Sequence, residues 1–216
     1  MAGPLIELFT SEGCSSCPPA DRLLGQIDAE GGAVVLSLHV DYWNYLGWRD
    51  PFSARSFSER QANYGERFRR NGVYTPQAVI NGSFETVGSE EREVRAALRR
   101  SRSTFSGFRG EAQLLNARKL RVHVEREAVG EELELWVAVA QRNATVAVAR
   151  GENGGKTLHH VAIARSLRML GRAAAGESGA KEFELAVDPQ WGQLRVVAWW
   201  QQPGLGTVRG ALRYDL

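Results

Sequence analysis

The sequence predicts an α/β first half, residues 1–106, followed by a β-rich, sandwich-like second half, residues 107–216. Three observations predict this. Short apolar runs alternate with helical patterns up to about residue 105. Beyond it, strand-length apolar segments follow one another with turns between. Both cysteines of the chain fall in one turn, TSEGCSSCPP (10–19), between the first strand and the first helix of that pattern.

The elements of the first half can be justified in order. LIELF (5–9) is short, apolar and closed by a turn. PPADRLLGQIDAE (18–30) starts with prolines, tolerated in a first helical turn, and spaces Leu23, Leu24 and Ile27 on one face. AVVLSLHV (33–40) is a near-continuous apolar run, as in a strand buried on both faces. DPFSARSFSERQANYGERFRR (50–70) reads as a helix with Phe57, Tyr64 and Phe68 inward. TPQAVING (75–82) and SFETVG (83–88) read as two strands joined at Asn81-Gly82, a strong hairpin signal. SEEREVRAALRRSRS (89–103) begins acidic and ends basic, which suits the helix dipole. The order β-α-β-α-β-β-α favours a parallel first pair joined by a right-handed crossover.

In the second half, segments 109–117, 119–127, 132–140, 144–150, 181–187, 193–202 and 207–213 read as strands. LHHVAIARSLRMLG (158–171) reads as an edge strand followed by a helix, and SRSTFSG (101–107) as the linker. This half has no cysteine and no evident acid–base cluster, so no catalytic group is expected in it. Trp191, Trp199 and Trp200 are its expected packing anchors.

Composition narrows the function. The 216 residues carry 27 basic and 25 acidic side chains, a near-balance that argues against a dedicated nucleic-acid binder. No apolar run approaches the length of about 20 residues that a membrane helix needs.

Cys14-Ser-Ser-Cys17 at a strand-to-helix turn suits dithiol chemistry. Free N–H groups and the dipole at a helix start favour thiolate, and a second thiol three residues on can resolve a mixed disulfide. Cys14 is expected to be the more exposed, attacking sulfur and Cys17 the resolving one. A structural disulfide is the plainer alternative, although so short a loop stabilises little. Thr75-Pro76 opens the third strand, where the missing proline N–H leaves neighbouring backbone for an extended substrate.

His39, at the end of the second strand, should share a sheet edge with the cysteine turn. It would protonate a leaving thiolate, ligate a metal with Cys14 and Cys17, or simply hydrogen-bond at the strand end. Asp41 reads either as a proton acceptor for Cys17 or as a turn or capping residue. Tyr42, Trp43, Tyr45 and Trp48 would line a groove or cover the sheet. GENGGKT (151–157) fails the phosphate-loop pattern and reads as a turn; His159 and His160 read as loop or strand surface.

Residues 5–103 resemble a thioredoxin-like domain, with CSSC as redox motif and Pro76 as its cis proline facing the cysteines. ELFTSEGCSSCPPAD, LHVDYWNYLGWRDPFS, VYTPQAVING and GENGGKTLHHV together resemble a narrower group, a bacterial family of predicted secreted thioredoxin-like proteins catalogued as a domain of unknown function. The resemblance spans nearly the whole chain. It implies a thioredoxin-like fold and an exported, periplasmic protein whose start, Met1-Ala2-Gly3-Pro4, is trimmed; a cytoplasmic protein is the alternative. The expected function is thiol–disulfide exchange on a protein client, with a redox partner to recycle the pair and no cofactor. A soft-metal module using Cys14, Cys17 and His39, and a non-catalytic scaffold, are the competing readings.

Overall fold

A computed structural model describes residues 1–101 and 107–216. Most of the expected linker, residues 102–106, and with it the expected boundary at 106/107, lies outside the described residues.

The helices form where their patterns place them. α1 (Pro18–Glu30) buries Leu23, Leu24 and Ile27. α2 (Arg55–Arg67) buries Phe57 and Tyr64. α3 (Glu91–Arg100) has Glu91 and Glu93 in its first turn and Arg99 and Arg100 in its last. Among the strands of the first half, β1 (Ala2–Gly3) has no sequence signal, whereas β2 (Leu5–Thr10), β3 (Val34–His39), β4 (Gln77–Ile80) and β5 (Phe84–Val87) follow their apolar runs. Asn81 and Gly82 both have positive φ, 49° and 61°, at the expected hairpin connection, which also includes Ser83 because Ile80 pairs with Phe84.

The architecture differs from the expectation of a thioredoxin-like α/β domain beside a separate sandwich. The chain is mostly β, with three α-helices among the described residues. The strands of the second half are β6 (Phe108–Asn116), β7 (Lys119–Arg126), β8 (Leu133–Ala147), β9 (Thr157–Ala173), β10 (Gly179–Ala186), β11 (Leu194–Gln201) and β12 (Val208–Asp215). Strands from both halves build one nine-stranded sheet in the order β1-β12-β11-β8-β9-β3-β2-β4-β5, and β10-β7-β6 form a second sheet. This is not a helix-flanked thioredoxin fold. β3 does not end the first-half sheet: it runs parallel to β9, joined through Ser37 and Ile163. β1 pairs with β12 at the far edge although only Pro4 separates it from β2, so the sheet curls back on itself.

The cause is long-range pairing that local patterns do not show. The segment read as strand then helix is one 17-residue strand, β9, because β8 pairs with it along its whole length. The two runs at 132–140 and 144–150 likewise merge into β8. A continuous core joins the halves: Phe9, Leu36, Leu38 and Tyr64 pack with Ala138, Val197, Trp199 and Val208. Trp199 and Trp200 are fully buried, as expected of anchors, while Trp191 is half-buried. Beneath α2, Arg60 donates through Nε to Glu7 Oε1 (2.6 Å) and through Nη2 to Gln201 Oε1 (3.0 Å), which ties α2, β2 and β11 together.

Candidate functional site

The cysteine turn is held by short-range backbone bonds. Cys14 N–H donates to the Ser11 carbonyl and Cys17 N–H to the Cys14 carbonyl, both at 3.2 Å. Cys17 is the N-cap of α1, and the first N–H groups of the helix after the two prolines, from Ala20 and Asp21, donate back to its carbonyl. Cys14 and Cys17 form a disulfide with Cα atoms 5.5 Å apart. Both cysteines are fully buried, Cys14 no less than Cys17, which corrects the expectation of an exposed first sulfur. Ser15 and Ser16 between them are exposed.

Three segments enclose this turn. The Ser16 hydroxyl lies 3.3 Å from Cys14 Sγ and donates to the Thr75 carbonyl at 3.4 Å. The Thr75–Pro76 bond is cis, as expected, and the Trp43 indole N–H donates to Thr75 Oγ1 at 2.8 Å. The turn at 151–155 closes the other side: Asn153 Nδ2 donates to the carbonyls of Glu12 and Cys14, both at 2.9 Å, and Glu152 Oε2 accepts from Ser15 N–H. Thus the segment that fails as a phosphate loop fastens the cysteine turn.

Behind the turn lies a buried set of acids and imidazoles. His39 Nδ1 is 2.7 Å from Asp50 Oδ2, and that same oxygen accepts the Glu12 backbone N–H at 2.9 Å. Glu12 Oε2 accepts the Trp48 indole N–H, and Glu12 Oε1 sits 3.3 Å from His160 Nε2. His160 Nδ1 is 3.7 Å from Asp21 Oδ2; Asp21, one helical turn beyond Cys17, accepts from the Thr10 hydroxyl at 2.8 Å. The His39 and His160 rings meet edge to face with centroids 4.8 Å apart. Glu12 and His39 are wholly buried, and Glu12 Oε1, His39 Nε2 and both His160 nitrogens lack a well-formed hydrogen bond.

His39 therefore reaches the cysteine turn through Asp50 and Glu12. Asp41 lies elsewhere, with its carboxylate and backbone N–H against the Ser58 hydroxyl of α2. Trp43 and Trp48 hold the site in place, whereas Tyr45 is 79% exposed. The second half, in which no catalytic group was expected, places His160 and Asn153 against the cysteine turn and its surroundings. Strand alternation separates the two adjacent histidines: His159 faces out and His160 in. The sequence reading missed Glu12, Asp21, Asp50 and Asn153 because only the β3–β9 junction and the loops around it bring them together. Among the described residues no group of three or more His, Cys, Asp or Glu side chains could hold a metal ion, so the soft-metal reading of Cys14, Cys17 and His39 gains no support.

Burial pulls the His39 imidazole down, but the Asp50 carboxylate, by charge and hydrogen bond, more than offsets this and holds its pKa above the ordinary value. Burial pushes Asp50 up; the His39 charge and hydrogen bond, with the backbone N–H groups of Glu12 and Phe52, bring it below the usual range. Burial raises Asp21 despite the attraction of both imidazoles. Each shift has a sign for stability. The contribution of His39 is complete below its ordinary pKa, about 6.5, and is lost as pH rises through its folded value. That of Asp50 is present above the ordinary carboxylate value and lost on acidification through its lowered one. Asp21 favours folding when protonated and opposes it increasingly above about pH 3.9. Urea unfolding should therefore show stability declining above about pH 6.5, and Asp50→Asn should flatten that decline. A variant profile parallel to the wild type would remove Asp50 as its cause.

The chain belongs to a protein family of unknown function, DUF1223, whose model matches residues 5–201. A crystal structure of an Agrobacterium tumefaciens protein, determined as a structural-genomics target, is similar to it at 28% identity and a TM-score of 0.77, over 97% of this chain and 92% of that one. The sporulation control protein Spo0M of Bacillus subtilis shares 9% identity over 52% of this chain and 49% of its own, with a TM-score of 0.31 that carries no structural argument. No curated protein matches the chain. Among the described residues no helix is long and apolar enough to cross a membrane.

Proposed function

We propose that this protein exchanges disulfides with a protein client through Cys14 and Cys17. The observation that supports the reading most strongly is a disulfide in a two-residue loop, set against buried proton-binding groups. By loop-closure entropy such a crosslink stabilises by about 2 kcal/mol, less than longer loops give. A structural role does not require acids and imidazoles behind it.

In the proposed reaction a client thiolate attacks Cys14 Sγ. The Cys14–Cys17 bond breaks, Cys17 leaves as thiolate, and a mixed disulfide joins Cys14 to the client. A second client thiolate then attacks its own sulfur in that mixed disulfide and releases Cys14 as thiolate. The client is oxidised by two electrons and the protein reduced by two; the same steps reversed reduce a client disulfide. The Glu12–His160–Asp21 and His39–Asp50 groups are the proposed reservoir for the protons that the new thiolates take up, in place of Asp41. Thr75 and Pro76 shape the docking edge beside Ser16. A recycling partner restores the starting state by the same exchange.

The test is trapping. Reduced Cys17→Ser protein, presented with a disulfide-bonded peptide, is expected to accumulate a stable mixed disulfide through Cys14, seen as an added mass that dithiothreitol removes. Cys14→Ser should trap little. Equal trapping by both variants would overturn the assigned order, and none by either would overturn the function.

A further inference from the structure

Strand β9 leaves part of one edge without a partner. It pairs with β8 from Thr157 to Ala173, but with β3 only at Ile163. From Ser166 onward no strand lies along its other edge among the described residues. An open groove of about 610 Å³ runs beside this stretch, with Arg165 and Arg168 of β9, Arg118 from the β6–β7 turn, and Asp188 and Trp191 in its walls.

The groove is chemically one-sided. Arg118, Arg165 and Arg168 line it with one acidic residue, Asp188; among the described residues none of the three arginines has a carboxylate within 4.0 Å, and Arg165 is attracted at longer range by Asp188 and Asp50. Arg165 is fixed by its neighbours: its guanidinium lies 5.2 Å from the Phe52 ring centroid and 5.5 Å from that of Trp191. Arg118 and Arg168 are exposed. Phe52 in turn packs edge-on against His39 and His160, at 5.3 and 5.9 Å between centroids. Arg165 in the groove wall is therefore linked through Phe52 to the buried imidazoles behind the cysteine turn.

We infer that this groove binds an extended, acidic segment of a partner protein, added as a strand to the free edge of β9 with its carboxylates on Arg118, Arg165 and Arg168. An unpaired strand edge is a template for another chain, and its N–H and C=O groups would give affinity without sequence preference. Alternate side chains of an added strand lie about 6.6–6.8 Å apart on one face, so Asp or Glu at every second position would set a row of carboxylates along the groove that these arginines line. Guanidinium groups accept carboxylates in paired hydrogen bonds, and a fixed Arg165 loses little freedom in making them.

The probe is a fluorescein-labelled peptide of alternating Glu and Thr, followed by anisotropy with the intact protein. Binding is expected, weakening as salt rises from about 50 to about 500 mM. The paired substitution Arg118→Glu with Arg168→Glu should weaken it at least tenfold, or about 1.4 kcal/mol. Methylation of every second peptide amide should do the same, because it removes the strand hydrogen bonds. Circular dichroism checks the folding of the paired variant; if it does not fold, Arg118→Gln and Arg168→Gln, made singly, should each weaken binding. No binding, equal binding of a Lys–Thr peptide, or binding unchanged by the substitutions would overturn the proposal. So would a single-stranded oligonucleotide that binds as tightly as the acidic peptide, since the groove would then be a general polyanion surface. The measurement has no redox step, so its failure is distinct from a failure of disulfide exchange.

Discussion

Arg60→Ala will lower the free energy of unfolding by about 3–5 kcal/mol, because it leaves a buried carboxylate without its cation. Arg60 and Glu7 are both nearly inaccessible, with side chains 4% and 1% exposed. Burial works against the Arg60 charge, but Glu7 more than offsets this and raises the guanidinium pKa. Without Arg60, Glu7 keeps, among the described residues, the Tyr64 hydroxyl at 2.6 Å, and Gln201 Oε1 loses one of its two donors and keeps the Trp199 indole N–H. The guanidinium also lies over Trp136 and Trp199, at 4.6 and 5.4 Å from their ring centroids, so packing between the two halves is lost with the charge. Urea unfolding followed by tryptophan fluorescence measures the change. A loss below about 1 kcal/mol would mean that the core relaxes around the gap and that this contact does not fasten α2 to the sheet.

Asn153→Ala will speed reduction of the Cys14–Cys17 disulfide by dithiothreitol about tenfold or more. The side chain is buried and donates to two carbonyls of the cysteine turn. Removing it leaves the Glu12 carbonyl unpaired and the Cys14 carbonyl with the Cys17 N–H alone, at a cost of about 1–3 kcal/mol, and the turn opens correspondingly more often. Both cysteines are fully buried, so reduction must follow such an opening. Timed alkylation of the new thiols gives the rate. An unchanged rate would show that the 151–155 turn does not control access to the disulfide.

Local elements were legible in the chain and their assembly was not. The prolines after Cys17 and the spacing of Leu23, Leu24 and Ile27 locate α1 to the residue. Asn81-Gly82 locates the β4–β5 hairpin through the positive φ that both residues adopt. Nothing local in SLRMLG reports that β8 will hold it extended, because its spacing of apolar residues also fits a helix. The expectation of a self-standing thioredoxin-like unit failed for the same reason: whether β3 ends a sheet or continues into β9 depends on residues more than a hundred positions away.

The candidate site divides similarly. The cysteine pair and Thr75-Pro76 stand out by residue type and position. His160 does not, since alternation along a strand makes one of two adjacent histidines buried without revealing which. Glu12 and Asp50 look like ordinary turn residues until Asp50 is seen accepting the backbone N–H of Glu12 and holding His39.

The claim on which the functional reading turns is that the Cys14–Cys17 disulfide exchanges with external thiols. Its most direct measurement is a redox titration of the intact protein in glutathione buffers, with free thiols alkylated and counted by mass. The account predicts that the two cysteines change together, as a two-electron couple, with a midpoint between about −270 and about −120 mV. A pair that stays oxidised below about −300 mV, as structural disulfides do, would contradict it.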